Sequence, residues 1–178
     1  MDEQQLLKDC LNGNAQAQNR LYEMYARKMF GVCLRYASDR SMAEDFMQEG
    51  FIRVFTKLSS FKFQGSFEGW IRRIMVNTSL ELLRKNDVFR FSVELDNLNQ
   101  IEDEEESTPD QIDAEALLNH VQEMPTGFRT VFNLYAVENL SHKEIGKMLG
   151  ISEGTSKSQY ARARVWLQKR LKDQTVNW

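Results

Sequence analysis

The sequence is poor in residues that interrupt helices and in residues that carry most enzyme chemistry. Two prolines and nine glycines among 178 residues favour long helices with few breaks. The two cysteines, Cys10 and Cys33, have no CxxC spacing, and the two histidines, His120 and His142, are isolated. We therefore expect buried or half-buried thiols rather than a metal site. Because no Ser-His-Asp set or phosphate loop is present either, we predict a non-enzymatic protein without a cofactor.

Long apolar runs are also missing. No stretch approaches the ~18 residues that a membrane-spanning helix needs, and Met1-Asp2-Glu3 does not begin a signal peptide. Apolar residues nevertheless make up 42% of the chain, which is enough to form cores. These features predict a cytoplasmic protein without membrane insertion.

The net charge of −3 hides an uneven distribution along the chain. Residues 94–115 contain ten acidic residues and no basic ones, whereas residues 140–178 contain eight lysines and arginines against three acidic residues. The acidic stretch has no sustained periodicity, and burying it would bring many like charges together. We interpret it as a flexible acidic linker at 91–111 between two small helical domains at 1–90 and 112–178. The local positive charge of the second domain permits a nucleic-acid partner despite the negative total.

Helical spacing of apolar residues recurs four times in the first domain. We predict helices over 3–11, 15–36, 41–58 and 67–85. The third is expected to begin at Ser41, because Ser41 and Glu44 have the spacing of a capping box. Its outer face carries Ile52 among polar residues, a pattern that suits a protein-binding surface, although single exposed apolar residues are also common on proteins without a partner there.

The tail reads LSHKEIGKMLGISEGTSKSQYARAR from Leu140. Ser141 and Glu144 again have capping-box spacing, Gly150 can end that helix in the left-handed conformation, and Ser152 can cap a second helix. Two helices around a short glycine turn form a helix-turn-helix. The second helix is predicted to pack Ser156, Tyr160, Ala163 and Leu167 inward. Small hydroxyls near its start and cations farther along suit base edges and phosphates of DNA, respectively.

The tail resembles the fourth region of extracytoplasmic-function (ECF) sigma factors, whose pattern is roughly LS-x2-EIA-x2-LGIS-x-GT-x-KS-x3-RAR. The stretches AEDFMQEGFIRVFTKL and FEGWIRRIMVNTSLELLRK resemble region two of the same family. Gly146, Ser156 and Glu81 depart from the frequent Ala, Val and Asp. The resemblance implies an all-α protein of the sigma-70 family, with a four-helix region 2 and a helix-turn-helix region 4.

Such a protein binds core RNA polymerase, recognises the −35 and −10 promoter elements and promotes DNA melting for transcription initiation. The resemblance implies polymerase contacts at Asp45, Gln48 and Glu49, and the outer-face pattern adds Ile52 to this surface. For single-stranded −10 DNA, the residues are Lys62, Gln64, Arg72, Arg73, Asn77 and Arg84. For duplex −35 DNA, they are Ser152, Thr155, Lys157, Ser158, Arg162 and Arg164. An anti-sigma factor is a further expected partner.

Two other classes of protein remain as alternatives. One is a conventional helix-turn-helix transcription regulator whose N-terminal bundle senses a ligand or dimerises; it would bind promoter DNA without polymerase. The other is a nucleic-acid-processing enzyme with a DNA-binding tail, which the missing catalytic motifs disfavour.

Overall fold

The computed structural model describes residues 3–85 and 114–175, and the regular secondary structure in these ranges is helical. The predicted linker at 91–111 lies outside the described residues. The chain divides into two compact units, Met1–Leu82 and Leu83–Trp178. Within the described ranges, no helix is both long enough and apolar enough to cross a membrane.

Four helices run through residues 3–85. They are α1 (Glu3–Leu11), α2 (Ala15–Leu34), α3 (Arg40–Lys57) and α4 (Phe67–Lys85), with a short 3₁₀ helix, Leu58–Ser60, after α3. The four predicted helices are thus present, and the first and fourth have the predicted bounds. The second ends two residues earlier than predicted, because Arg35 and Tyr36 donate to carbonyls three residues back, which tightens the last turn.

The predicted start of α3 at Ser41 is wrong. Asp39 is the N-cap: it is extended, and its carboxylate accepts a hydrogen bond from the Met42 N–H at 2.9 Å. The Glu44 carboxylate accepts from Arg40 Nε at 2.9 Å, so it does not close a capping box with Ser41. Asp39 and Ser41 are both good caps, and the sequence pattern alone did not separate them.

Aromatic and aliphatic side chains form the core of the first unit. Phe67, Ile71 and Met75 of α4 are at most 1% exposed, and Phe67 contacts the rings of Tyr25 and Phe61 at centroid distances of 5.7 and 5.0 Å. The buried face of α4 extends beyond these three residues. It also includes Val76, Ser79, Leu80 and Leu83. Both predicted thiols are buried, and burial raises the pKa of Cys33 to about 12, so this thiol stays protonated.

Four further helices cover residues 114–175. They are α5 (Ala114–Glu123), α6 (Thr126–Ala136), α7 (His142–Leu149) and α8 (Glu153–Thr175). Their apolar cluster contains Val121, Met124 and Ala163, with Phe128, Phe132, Trp166 and Leu167 packed against it.

A buried arginine stabilises the corner between α5 and α6. Arg129 is 1% exposed, and its Nη1 donates to the carbonyl oxygens of Gln122 and Met124 at 2.7 and 2.9 Å. These carbonyls lie at the end of α5, where no helical N–H can reach them. Arg129 therefore satisfies the end of one helix from the first turns of the next.

Candidate functional site

The turn between α7 and α8 has the predicted local structure. Ser141 and Glu144 form a capping box, with the Glu144 N–H donating to Ser141 Oγ and the Ser141 N–H donating to the Glu144 carboxylate. Gly150 ends α7 with φ of 71°, a left-handed conformation that costs glycine little. Ser152 Oγ accepts from the Thr155 N–H at 2.9 Å and caps α8. The two helices of the pair are thus fixed by caps at both sides of the turn.

Gly146 and Ser156, two of the residues that depart from the family pattern, lie where α7 meets the turn and α8. A Cβ atom on Gly146 would lie 2.8 Å from the Ile151 carbonyl oxygen, so the missing side chain allows a close approach of the turn. Ser156 is fully buried, and its Oγ lies 3.0 Å from Nδ1 of His142. Ser156 therefore contributes a buried polar contact between α7 and α8.

His142 lies in an aromatic cluster. Its ring stacks on Tyr135 at 4.4 Å and lies 5.8 Å from Tyr160. Burial is the main cause that lowers the pKa of His142 below its ordinary 6.5, and Lys157 adds to this effect while Glu153 opposes it. The neutral imidazole is therefore the form that the fold favours.

The inner face of α8 follows the prediction, with one addition. Ser156 and Ala163 are fully buried, and Tyr160 and Leu167 are half-buried. Gln159 is also buried, at 2% exposure, which the sequence pattern did not predict. Gln159 lies between Ser156 and Ala163 along the helix, and because its side chain is polar, the spacing of apolar residues does not reveal its burial.

The six residues predicted to contact the −35 element lie at the start and along the middle of α8. Ser152, Lys157 and Arg164 are exposed, whereas Thr155, Ser158 and Arg162 are half-buried. Several already have partners within the helix. The Ser152 hydroxyl lies 2.8 Å from Thr155 Oγ1, and Lys157 Nζ lies 2.8 Å from Glu153 Oε1. The first turn is thus both hydroxyl-rich and mixed in charge.

The predicted polymerase residues lie on the side of α3 away from its buried face. Phe46, Gly50 and Val54 are buried. Asp45, Gln48 and Ile52 are exposed, and Glu49 is half-buried. Ile52 is 60% exposed, the largest exposed fraction among the large apolar side chains that the structure describes. An apolar side chain left in water between polar neighbours suits a surface that a protein partner covers.

The predicted −10 residues are mostly exposed. Lys62 and Gln64 lie in the loop before α4, Arg73 and Asn77 are one helical turn apart on α4, and Arg84 is in its last turn. Arg72 is half-buried.

The two phenylalanines of the loop before α4 differ in burial. Phe61 is 8% exposed and packs on Phe67 and Trp70, whereas Phe63 is 47% exposed and its ring lies 5.2 Å from that of Phe61. Phe63 also has φ of 55°, a left-handed conformation that costs a residue with a Cβ roughly 1–2 kcal/mol. The loop thus holds an aromatic ring at the surface in a strained conformation.

One ion cluster of the first unit has no counterpart among the residues predicted from the sequence. Arg53 of α3 donates to Glu49 on its own helix and to both carboxylate oxygens of Glu81 on α4. The spacing of four residues between Glu49 and Arg53 was a usable signal. The contact with Glu81, 28 residues away, depends on tertiary packing and has no local signal. Of the residues that the structure describes, no group of three or more His, Cys, Asp or Glu side chains could hold a metal ion.

Comparisons with known proteins agree with this arrangement. The sigma-70 region 2 model matches residues 21–88, and the sigma-70 region 4 model matches residues 114–167. The chain is 30% identical to the ECF RNA polymerase sigma factor SigW of Bacillus subtilis, over 94% of this chain and 95% of that protein. It is also 30% identical to the ECF RNA polymerase sigma factor SigE of Mycolicibacterium smegmatis, over 84% of this chain but only 60% of that protein.

A solved sigma-factor structure also has a similar fold. In the complex of the sigma factor RpoE with the anti-sigma factor NepR from Bartonella quintana, the sigma factor is 20% identical to this chain with a TM-score of 0.52. The alignment covers 90% of this chain and 98% of that one.

Two helical domains, one with a helix-turn-helix, are an arrangement typical of DNA-binding proteins. The chain belongs to the ECF sigma factors of the sigma-70 family, which act in transcription initiation. Membership of this family confirms the all-helical, two-domain prediction. It also excludes both the conventional regulator and the enzyme.

Proposed function

We propose that this sigma factor binds core RNA polymerase through the outer face of α3. The observation that carries the proposal is the exposed Ile52 beside the acidic and amide side chains of the same face. Three polar side chains, Asp45, Gln48 and Glu49, supply charge and hydrogen-bond acceptors, and Ile52 supplies apolar area. A mixed surface of this kind gives orientation through its polar groups and affinity through its apolar one.

The −10 element is held as a single strand by α4 and the loop before it. Cations from Lys62, Arg72, Arg73 and Arg84 neutralise phosphates, while Gln64 and Asn77 have the donors and acceptors that base edges require. The exposed, strained Phe63 provides a ring for base stacking. Binding the unpaired strand better than the duplex shifts the melting equilibrium without covalent chemistry.

The −35 element is read as duplex by the first half of α8 in the major groove. The caps at Ser152 and Ser141 support this role, because they fix the angle at which α8 leaves the turn. Thr155 and Ser158 are short enough to approach base edges, and Lys157, Arg162 and Arg164 are long enough to reach phosphates. Lys157 exchanges Glu153 for a phosphate on binding, which is a modest cost for an exposed ion pair.

The two domains, 1–90 and 112–178, work on separate promoter elements. The acidic segment at 91–111 connects them along the chain. Its charge keeps it away from DNA and lets it occupy a positively charged polymerase channel.

Control of this sigma factor comes from a separate anti-sigma protein in the cytoplasm. The support is the fold shared with RpoE, which has been solved with its anti-sigma factor NepR.

The polymerase surface is tested by charge reversal. Changing Asp45 and Glu49 together to Lys should lower the affinity for core polymerase by at least a hundredfold with helicity unchanged, because two attractive contacts become repulsive. The charge-matched control, Asp9→Lys with Glu23→Lys on α1 and α2, should bind as wild type. Unchanged affinity of the first double variant would remove α3 as the polymerase surface.

Reading of the −35 element is tested with holoenzyme on a library of −35 sequences at two salt concentrations. If Arg162 contacts a phosphate, Arg162→Ala should weaken binding at every sequence and lower the salt slope by about one. If it pairs with a guanine, the loss should be about 1–3 kcal/mol and confined to promoters with that base.

Thr155→Ala and Ser158→Ala should change sequence preference more than overall affinity. Unaltered affinity and preference in all three variants would exclude α8 as the reading helix.

A further inference from the structure

Arg53 connects the proposed polymerase surface of α3 to α4. Its Nη1 and Nη2 donate to the two carboxylate oxygens of Glu81 at 2.5 and 3.1 Å, in the parallel two-bond geometry that guanidinium and carboxylate groups favour. Its Nε donates to Glu49 Oε1 at 3.0 Å. One edge of the guanidinium is therefore anchored on α4, and its Nε–H holds a carboxylate on α3.

The exposure of the three side chains suits a role in which Arg53 supports Glu49 and does not contact a partner itself. Arg53 is 22% exposed, while Glu49 and Glu81 are 39% and 45% exposed. Glu49 uses Oε1 for Arg53, so Oε2 is available to a partner. The hydrogen bonds that Arg53 donates to the Glu81 carboxylate are the main cause that raises the pKa of Arg53, so the guanidinium stays charged.

The anchor on α4 is what fixes Glu49. An exposed ion pair between residues four apart on one helix restrains a long side chain only weakly. The two bonds to Glu81 fix the guanidinium first, so Glu49 is oriented by a group that no longer moves freely. A side chain that is already ordered loses less entropy when a partner binds it.

We infer that Arg53 is a positioning residue for polymerase binding: held by Glu81 of α4, it orients the Glu49 carboxylate on α3 for its polymerase partner. The inference rests on the proposed function of the α3 surface. It makes the affinity of that surface depend on a residue of the helix that carries the proposed −10 contacts.

The test measures the affinity of the full chain for core polymerase in a double-mutant cycle. Arg53→Lys keeps the positive charge but loses the two-bond geometry with Glu81. It should lower affinity about three- to tenfold, and Glu81→Gln should do the same because it removes the anchoring charge. In the Glu49→Gln background, each change should lower affinity by less than twofold, since there is no carboxylate left to orient.

The matched control is Arg40→Lys on the same helix. Arg40 Nε also pairs with a glutamate four residues on, Glu44, at 2.9 Å, but its side chain is 78% exposed. The Arg40→Lys variant should bind core polymerase with wild-type affinity. Thermal unfolding of every variant shows whether a change in affinity follows a change in stability.

Three outcomes would overturn the inference. The first is wild-type affinity of Arg53→Lys and Glu81→Gln, and the second is an equal loss with and without Glu49, which would mean that Arg53 acts directly or through folding. The third is higher affinity of Arg53→Lys, which would mean that Arg53 masks Glu49. Asp45→Lys distinguishes a failure of the proposed polymerase surface from a failure of the inference about Arg53. If it binds normally, the proposed surface fails; if it abolishes binding while Arg53→Lys is neutral, only the inference fails.

Discussion

The two units of this sigma factor bury different kinds of side chain. Among the described residues, the first unit buries two polar side chains, Thr78 and Ser79, beneath a core of phenylalanine, leucine and methionine. The second buries six. They are His120, Arg129, Thr130, Asn133, Ser156 and Gln159.

The two units also differ in helix length. Three of the four α-helices described in the first unit have 18 to 20 residues and provide long apolar faces, and α1 has nine. The second includes helices of eight, ten and eleven residues, in which a larger share of backbone groups lies at helix ends without a helical partner. Buried polar side chains such as Arg129 satisfy some of those groups. We therefore expect apolar burial to dominate the stability of the first unit, and hydrogen bonds such as those of Arg129 to contribute more to the second.

The largest effect is expected in the apolar core of the first unit. Phe67→Ala should lower the free energy of unfolding of this unit by about 3–5 kcal/mol, because it leaves a cavity among three neighbouring rings. Hydrogen exchange measured by mass spectrometry on the full chain reports the units separately. Phe63→Ala, at an exposed ring in the loop before the same helix, should change stability by about 0.5 kcal/mol or less. Equal losses in the two variants would contradict the apolar account.

A smaller effect is expected from the polar network of the second unit. Arg129→Met keeps a long side chain but removes the donors to Gln122 and Met124. The loss should be about 1.5–3 kcal/mol, the usual range for hydrogen bonds of a charged group, and should appear as faster exchange in α5 and α6. Lys169→Met removes a cation from an exposed position of α8 and serves as control. A neutral Arg129→Met would show that packing alone stabilises this corner.

The sequence predicted most of what depends on local pattern. Apolar spacing located the four helices of residues 3–85, and the Ser141 and Glu144 pair located the start of α7. The choice of Asp39 over Ser41 as a cap was missed, because both residues fit the pattern. The contacts of Arg53 with Glu81 and of His142 with Ser156 join different helices, so only the packed structure brings them together.

The smallest predicted effect concerns pH and again separates the units. His142 has a lowered pKa in the fold, so the unfolded chain binds a proton at a higher pH than the folded chain does. Stability therefore rises with pH in this range: it is fully present above about pH 6.5 and falls as the pH drops through the lowered folded value. We expect α7 and α8 to exchange faster at pH 5.5 than at pH 7 after correction for intrinsic rates.

His142→Gln is the variant that isolates this contribution. The amide can still reach Ser156 but does not titrate, so the additional exchange at pH 5.5 should shrink in α7 and α8. Glu144 and Glu153 also have lowered pKa values, but their contributions are lost only as the pH falls below about 4.5, outside the measured window. The same pH change should affect α2 to α4 equally in both proteins. If His142→Gln keeps the full pH dependence, another group in the second unit causes it, and the neutral imidazole is not what holds α7 against α8.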